Sequence, residues 1–331
     1  MILPRFEHRP GIHCGSTAVA DALRVAGVDL SEPMAFGLGA GLGFHYFASP
    51  TLSPSHVFHG RSTHLERTAC EVIGVQAREH TEEDAARAWE GVRAAVDRGI
   101  APIVSTDLAE LPYWSSRTPF GGHRVVLAGY DADRGVALVA DTGFPGLQQV
   151  PIDALQRARA KMGLPLGAPG HPWIEILPGA EPVPLADAVP EALRRQARDM
   201  LLDRDGAAGV SAIERFAEDL PRWTADARDE RDFIRCVLYG HQMIERRGTG
   251  GGLFRSLHAR FLAEAEDLLR SLRPLALRSR MEALAARWSA IAAAMRDAAR
   301  ERAVPATLPA LVHEVAREER RFYEDVAARV P

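Results

Sequence analysis

Residues 11–27 read GIHCGSTAVADALRVAG, a short loop that runs into a helix with Cys14 at its start. Apolar residues recur after the cysteine at three- and four-residue spacing, and Gly27 supplies a stop signal. A thiol in the first turn of a helix faces backbone N–H groups and the positive end of the helix dipole, which favour the thiolate. The same N–H groups could hold an oxyanion. The stretch therefore predicts that Cys14 is a nucleophile.

The other cysteines fit a structural role. The chain has three cysteines, and an odd number in 331 residues argues against a disulfide framework. Cys70 and Cys236 lie among apolar residues with helical spacing, so both are expected in the core. Burial as a small apolar side chain is also the alternative for Cys14. The helix start favours the catalytic interpretation, because thiol reactivity depends on such an environment.

Composition excludes several classes of protein. With 47% hydrophobic and 25% charged residues and a formal net charge of −4, the chain is typical of a globular protein and has no nucleic-acid footprint. The N-terminus has no apolar signal-peptide region, and the longest weakly polar run, Pro33 to Phe44, is too short to span a bilayer. These features predict a cytoplasmic protein that binds neither nucleic acid nor membrane. They leave the oligomeric state open.

The order of the predicted elements indicates the fold class and the domains. Helices come first, and residues 124–130 and 136–141 then predict a strand–turn–strand hairpin. Helices followed by antiparallel strands are typical of an α+β fold. Four prolines between residues 178 and 190 mark a boundary, beyond which alanine and leucine recur at helical spacing. We therefore predict a catalytic domain over 1–178, a proline-rich linker over 179–190 and an α-helical domain over 191–331.

A cysteine nucleophile needs a base, and the base needs an orienting group. His123 follows two glycines at the start of an apolar strand, and Asp141 ends the next strand. Because a hairpin can place these residues side by side, Asp141 could accept a hydrogen bond from the His123 ring. The alternatives are a strand-end histidine bonded to backbone and an aspartate that caps the turn at Thr142-Gly143.

The order of these motifs resembles the papain-like cysteine fold. A helix-borne Cys-Gly, a Gly-Gly-His at a strand start and an aspartate after the next strand are similar to the peptidases that trim leader peptides of exported bacterial peptides. In that group a glutamine six positions before the cysteine helps to form the oxyanion hole. His8 stands at that position here. The resemblance implies a papain-like N-terminal domain and an oxyanion hole made by His8, Cys14 and Gly15.

A closer similarity covers nearly the whole chain. HCGS at 13–16, PMAFGLGAGLGF at 33–44 and DLAELPY at 107–113, followed by His123 and Asp141, resemble the butirosin-biosynthesis acyltransferase (BtrH-like) family. RGTGGG at 247–252, within the helical half, fits members that append an uncharacterised helical domain.

This similarity implies a reaction and its partners. The family transfers an aminoacyl group from an acyl carrier protein thioester to an amine of an aminoglycoside. By that resemblance Cys14 is the acyl acceptor, His123 the general base and acid, and Asp141 the group that orients His123. The implied partners are an acyl carrier protein or other thioester donor and a small amine-bearing acceptor, in specialised-metabolite biosynthesis. No cofactor is implied.

Four side chains are candidates for the substrate cleft. Asp107, Tyr113 and Trp114 follow a predicted buried strand, and Tyr46 follows the glycine-rich run. Ordinary packing is an equal alternative for the three that follow the strand.

Two further patterns are weak. The glycine-rich residues 37–43 lack both the Gly-Lys-Ser/Thr ending and the preceding strand of a phosphate-binding loop, so close packing or a mobile flap is expected. His56 and His59 do not have the spacing of a helical zinc motif, and Pro50 and Pro54 predict a loop there. We therefore expect no metal site.

Three functions stay open at this point. The first is an acyltransferase that uses Cys14, His123 and Asp141. The second is a cysteine peptidase or amidase on the same fold, which the three residues alone do not exclude. The third is a non-catalytic binding protein that uses its helical half to hold a partner.

Overall fold

The structure is a computed structural model that describes residues 1–4, 6–115, 119–160 and 170–330. The chain forms two compact units. Unit 1 comprises Met1–Ala35 and Glu66–Pro184, and unit 2 comprises Phe36–Leu65 and Leu185–Pro331. The chain therefore leaves unit 1, contributes one segment to unit 2, and returns before it enters unit 2 again.

The regular elements of the described residues in the first half of the chain are a mixture of helices and strands. They are α1 (Cys14–Val25), α2 (Glu32–Leu38), β1 (Leu42–Ala48), β2 (His56–Arg61), α3 (Leu65–Val72), β3 (Ala77–His80), α4 (Ala85–Asp97), β4 (Ile103–Thr106), β5 (His123–Asp131), β6 (Val136–Ala140), β7 (Gln148–Pro151), α5 (Ile152–Ala160) and β8 (Trp173–Ile176).

The second half is helical. Its α-helices are α6 (Leu185–Leu201), α7 (Gly209–Asp219), α8 (Trp223–Asp226), α9 (Glu230–Glu245), α10 (Arg255–Leu268), α11 (Leu277–Glu301) and α12 (Thr307–Arg329). Short 3₁₀ helices cover Leu108–Glu110, Leu220–Arg222 and Arg270–Leu275. None of the described helices has both the length and the apolar character that a membrane span requires. The helical C-terminal part confirms the sequence prediction.

Unit 1 is built on a six-stranded sheet in the order β3-β8-β4-β5-β6-β7. Every pairing in it is antiparallel. β8 comes last in the chain but pairs between β3 and β4. Helix α1 packs on β4 and β5, which brings the start of the Cys14 helix to the sheet. The mixed architecture of helices and antiparallel strands confirms the predicted α+β class.

The β5–β6 hairpin determines where the base and its partner lie. Val126 pairs with Ala140 and Asp131 with Val136, with a bulge between Leu127 and Gly129. His123 is the first residue of β5, and Asp141 directly follows β6. Because the strands run antiparallel, the start of one and the end of the other lie at the same edge of the hairpin.

Unit 2 contains two strands that the sequence interpretation missed. β1 and β2 form an antiparallel pair with Tyr46 opposite Phe58. Phe44 and Phe58 stack at 5.4 Å and both pack against Phe216 of α7, which buries the hairpin among the C-terminal helices. His56 and His59 therefore lie in a strand and not in the predicted loop, since the nearby prolines fall in the connection between the strands.

The predicted domain limits differ from the two units. The sequence divides the chain at 1–178, 179–190 and 191–331, but Phe36–Leu65 belongs to unit 2 because its apolar side chains pack there. The predicted linker also ends earlier, since α6 begins at Leu185 and includes Pro190. Pro190 is the sixth residue of α6, so it lies past the first turn and the helix lacks one backbone hydrogen bond there.

A buried ion pair lies in the core of unit 2. Arg255 donates from Nε and Nη2 to the two carboxylate oxygens of Glu319 at 2.9 and 2.8 Å, and both side chains are 0% exposed. Trp288 Nε1 also donates to Glu319, and Arg255 Nη1 donates to the Leu253 carbonyl. Each buried charge is thus neutralised and hydrogen-bonded.

We expect Glu319→Ala to destabilise the protein by about 3 to 5 kcal/mol, because it leaves the Arg255 guanidinium buried without a counter-charge. Glu314→Ala is the control. It breaks the half-exposed pair with Arg287 and should cost less than about 1 kcal/mol. Urea unfolding of the full chain measures both. Equal losses for the two variants would contradict the prediction.

Candidate active site

Cys14 is the first residue of α1. His13 caps the helix, since its ring nitrogen Nδ1 accepts a hydrogen bond from the Ser16 N–H at 3.3 Å. Cys14 is partly exposed, whereas Cys70 and Cys236 are buried. Burial raises the pKa of the Cys70 thiol to about 12 and raises that of Cys236 as well. These two thiols therefore stay protonated and inaccessible, which leaves Cys14 as the cysteine suited to react.

Glu32 organises the loop before the helix. Its carboxylate accepts hydrogen bonds from the N–H groups of Ile12 and His13 at 2.9 and 2.7 Å and from the hydroxyl groups of Ser16 and Thr17. These contacts fix the backbone that leads into Cys14.

Gly15 offers a donor for an oxyanion. Among the described residues its N–H has no acceptor, and a side chain here would crowd its neighbours. An added Cβ would lie 3.0 Å from His13 Cε1 and 3.3 Å from Glu66 Oε1. The predicted contribution of Cys14 and Gly15 to an oxyanion hole stays a prediction that this geometry allows.

His123 contacts both of its predicted partners. Its Nε2 lies 2.8 Å from Asp141 Oδ1, and its ring also forms a hydrogen bond with the Cys14 side chain. Because Nε2 is bonded to Asp141, Nδ1 is the ring nitrogen that is left to bond the sulfur of Cys14. Burial opposes a charged ring, but the hydrogen bonds and charges of Asp141 and Cys14 outweigh it, so the pKa of His123 is raised. The three groups can therefore act as nucleophile, base and orienter.

Tyr113 and Trp114 hold Asp141 through their polar atoms; both are partly exposed, and their place at the cleft edge stays a prediction. The Tyr113 hydroxyl and Trp114 Nε1 both donate to Asp141 Oδ2 at 2.8 Å. Phe144 packs edge-on against both rings, at 5.1 and 5.2 Å. Burial disfavours the charged carboxylate, but His123, Trp114 and Tyr113 outweigh it and the pKa of Asp141 is lowered. Both oxygens of Asp141 are thus fixed by donors.

We expect Tyr113→Phe to lower kcat about tenfold, the value of one hydrogen bond to a charged group, about 1.5 kcal/mol. Loss of a donor to the carboxylate makes protonation of Asp141 easier, so the acid limb of the pH–rate profile should move to higher pH. A pH series of kcat for wild type and variant measures both effects. Tyr130→Phe, which loses an exposed bond to Asp97, is the matched control. An unchanged acid limb in Tyr113→Phe would contradict the role given to this hydroxyl.

Asp107 and Tyr46, in contrast, are buried and are not cleft residues. Asp107 is 3% exposed and its Oδ1 accepts from the N–H groups of Ala109 and Phe120, so it holds the loop after β4. Tyr46 lies in unit 2, is 1% exposed, and accepts a hydrogen bond from Trp223 Nε1 at 3.0 Å. Adjacency to a strand or a glycine run gave no information on which way these side chains point.

His8 does not donate to an oxyanion, because both of its ring nitrogens are already used. Nδ1 lies 2.5 Å from Asp21 Oδ2, and Nε2 lies 3.1 and 2.9 Å from the carbonyl oxygens of Asp141 and Phe144. The resemblance to peptidases with a glutamine at this position therefore misassigned His8. It lies beside the backbone of the orienting aspartate.

Arg124 and Glu66 form an ion pair near the sulfur that sequence reasoning missed. Arg124 Nε donates to Glu66 Oε1 at 2.8 Å and its Nη1 donates to Ser105. Burial opposes the charge of Arg124, but Glu66 outweighs it and Cys14 adds to the effect, so the pKa of Arg124 is raised. The Arg124–Glu66 pair therefore belongs to the charge environment of the Cys14 thiol. Nothing in the spacing of these residues indicated their contact.

No metal site emerges from the described ranges, since no group of three or more His, Cys, Asp or Glu side chains in them could hold an ion. The predicted nucleophile, base and orienting carboxylate lie at the start of α1 and at one end of the β5–β6 hairpin.

Two family models match the chain. The model described as "Butirosin biosynthesis protein H, N-terminal" matches residues 13–142, which include Cys14, His123 and Asp141. The model described as "Domain of unknown function (DUF4872)" matches residues 153–326. No curated protein sequence matches. The two matched regions do not coincide with the two units. The DUF4872 match begins in α5 and includes β8, which belongs to the sheet of unit 1. The N-terminal match includes β1 and β2, which belong to unit 2.

Proposed function

The chain belongs to the BtrH-like proteins that carry an appended DUF4872 domain, and on that premise we propose that it is a thiol acyltransferase working through Cys14. Membership implies an acyltransferase role related to butirosin biosynthesis. The observation that carries the finer proposal is the contact of His123 with both Asp141 and Cys14. A papain-like relationship of unit 1 is part of the same proposal, supported by a helix-borne cysteine that packs on an antiparallel sheet carrying the histidine.

The first half-reaction acylates Cys14. His123 holds the proton of Cys14, and the thiolate attacks the carbonyl carbon of a thioester while the N–H groups of Cys14 and Gly15 face the oxyanion. The carbon–sulfur bond to the donor then breaks, and the donor thiol leaves with the proton from His123. One thioester has replaced another, so the step is close to thermoneutral. A cysteine enzyme therefore suits carrier-bound acyl donors.

The second half-reaction transfers the acyl group to an amine. The amine attacks the acyl-Cys14 carbonyl, His123 accepts the proton that the nitrogen loses, and the Cys14 sulfur leaves as thiolate. Asp141 keeps Nε2 of His123 protonated, so that Nδ1 is the nitrogen that exchanges protons with sulfur and amine. The proposed partners are an acyl carrier protein or other thioester donor and a small amine-bearing acceptor.

The test separates acyl transfer from peptide cleavage and from a binding role. The protein is incubated with an acyl group loaded on a carrier protein, with a panel of aminoglycosides as acceptors, and separately with short peptides. Amide formation that requires the thioester and Cys14 supports the proposal. Peptide cleavage without a thioester would identify a peptidase or amidase, and neither activity would favour a binding protein; each result overturns the proposal.

A further inference from the structure

His8 lies between the helix that carries Cys14 and the loop that carries Asp141. Its Nδ1 is 2.5 Å from Asp21 Oδ2 on α1, and its Nε2 is within 3.1 Å of the carbonyl oxygens of Asp141 and Phe144. The His8 and Asp21 side chains are 4% and 1% exposed. Water therefore does not compete for these contacts, and any mismatch of donor and acceptor would be costly.

The partners of His8 determine its protonation. Carbonyl oxygens only accept hydrogen bonds, so Nε2 carries a hydrogen. The Asp21 carboxylate also only accepts, so Nδ1 carries one too. A ring with two N–H groups is an imidazolium cation. Burial opposes this charge, but the hydrogen bond and charge of Asp21, helped by the two carbonyls, outweigh it, and the pKa of His8 is raised.

We propose that His8 is a positioning residue that acts as a charged clamp, donating to Asp21 on one side and to the Asp141 and Phe144 carbonyls on the other. The clamp ties the helix of the nucleophile to the loop of the orienting carboxylate. The consequences for turnover rest on the proposed function. The protonation of the ring does not.

The clamp acts on the carboxylate of Asp141 by two routes. It fixes the Asp141 carbonyl directly, and it fixes Phe144, whose ring packs edge-on against Tyr113 and Trp114. These two residues donate to Asp141 Oδ2. On the other side, Asp21 follows Cys14 by seven residues, which places both on the same face of α1. Loss of the clamp would therefore loosen the alignment of His123 with the sulfur.

The remaining charges around the clamp favour this arrangement. Arg24 Nη1 and the Arg9 N–H donate to Asp21 Oδ1 at 2.9 and 3.3 Å, which leaves Oδ2 to His8. The other charged side chains of this cluster, Glu7 and Asp29, are exposed and pair with arginines: Glu7 with Arg9, and Asp29 with both Arg9 and Arg24. The Asp141 carboxylate faces His123.

The clamp should fail as pH rises. A neutral His8 would turn a ring lone pair either to the Asp21 carboxylate or to the carbonyl oxygens. Because the pKa of His8 is raised above 6.5, its stabilisation is complete below that pH and is lost as pH rises through the raised value.

Asp21→Asn reverses this dependence. The amide oxygen of the new side chain can accept from Arg24 and Arg9, while its NH₂ donates to a neutral His8 Nδ1 and Nε2–H keeps the carbonyls. Every hydrogen bond survives with an uncharged ring, so kcat should stay within about threefold of wild type at neutral pH. Acidification then protonates Nδ1 of His8, which places its N–H opposite the NH₂ group of the asparagine, and two donors cannot form a hydrogen bond. The wild-type protein should therefore lose the clamp as pH rises, and Asp21→Asn should lose it as pH falls.

The experiment combines a spectroscopic and a kinetic measurement on the full chain. Ring ¹⁵N NMR of His8 against pH should give a titration midpoint above 6.5 in wild type, with both nitrogens protonated below it, whereas Asp21→Asn should have only Nε2 protonated at pH 7. The rate of Cys14 alkylation by iodoacetamide and kcat are followed against pH. His8→Ala should lower kcat about 10- to 100-fold with KM unchanged. Asp153→Asn, an exposed aspartate paired with Arg157, is the matched control and should behave as wild type.

A His8 ring that is already neutral at pH 6.5 in the wild-type protein would overturn the clamp, as would parallel pH dependences of wild type and Asp21→Asn. If His8→Ala does not fold, the comparison of wild type with Asp21→Asn still tests the clamp. If no acyl transfer is found at all, the proposed function fails, while the ring protonation and the alkylation of Cys14 still report on the clamp.

Discussion

Replacing Cys14 by alanine is expected to lower acyl transfer about 10⁴-fold or more, to the level of the uncatalysed reaction with bound substrate. The substitution removes the sulfur on which the proposed acyl intermediate forms and leaves His123 and Asp141 in place. Alanine is a strong helix former and Cys14 is partly exposed, so the fold should persist. Single-turnover amide formation from an acyl thioester, with thermal unfolding of the same sample, measures both points.

Cys70→Ala is the matched control for this prediction. Cys70 is buried on α3 and its raised pKa keeps it protonated, so the substitution should cost about 1 kcal/mol of stability and leave turnover unchanged. A Cys14→Ala protein that keeps more than about a tenth of the wild-type rate would contradict the covalent mechanism.

Asp141→Asn should lower kcat about 10³- to 10⁴-fold, although an asparagine has almost the same shape. Oδ2 of Asp141 receives hydrogen bonds from Tyr113 and Trp114, and Trp114 Nε1 can only donate. The amide oxygen of the substituted side chain must therefore take the Oδ2 position, and its NH₂ faces Nε2 of His123. That nitrogen must then accept, which moves the ring proton to Nδ1. With a proton already on Nδ1, a neutral His123 ring cannot accept the proton of Cys14.

This explanation predicts a specific rescue. In Asp141→Asn combined with Tyr113→Phe and Trp114→Phe, no donor remains at the Oδ2 position and the amide can turn its oxygen to His123. We expect kcat to rise at least about tenfold over Asp141→Asn alone. Asp133→Asn in the exposed turn of the hairpin is the control for loss of an aspartate. A triple variant no faster than the single one would refute the tautomer argument.

The sequence indicated the principal residues of the site because they lie where local patterns are strongest. Cys14 stands at a helix start and His123 and Asp141 at strand ends, and antiparallel pairing brings strand ends together. The α+β class and the helical C-terminal part followed from periodicity in the same way. The catalytic roles of the three residues stay predictions.

The contacts that support the site join residues far apart in the chain, so local sequence patterns do not predict them. His8 contacts a residue 133 positions away, and Tyr113 contacts one 28 positions away. The spacing of such pairs carries no information on which oxygen a donor faces. The resemblance to the peptidases therefore places His8 at the oxyanion, and the hydrogen bonds of Tyr113 and Trp114 to Asp141 are not visible in the sequence.

The β1–β2 hairpin escapes the sequence analysis for another reason. Both stretches contain Phe, Tyr or Val, which favour strands, but the neighbouring glycines and prolines predicted loops. The packing of Phe44 and Phe58 against Phe216 of a distant helix is not visible in the sequence.

The most direct test of the covalent mechanism is the intact mass of the protein after mixing with an acyl thioester and no acceptor. We predict a mass increase of one acyl group, located by peptide mapping on Cys14 and discharged when an amine is added. No adduct should form in Cys14→Ala, whereas Cys70→Ala should be acylated normally. An unmodified mass, or an adduct that survives in Cys14→Ala, would contradict the assignment of Cys14 as the acyl acceptor.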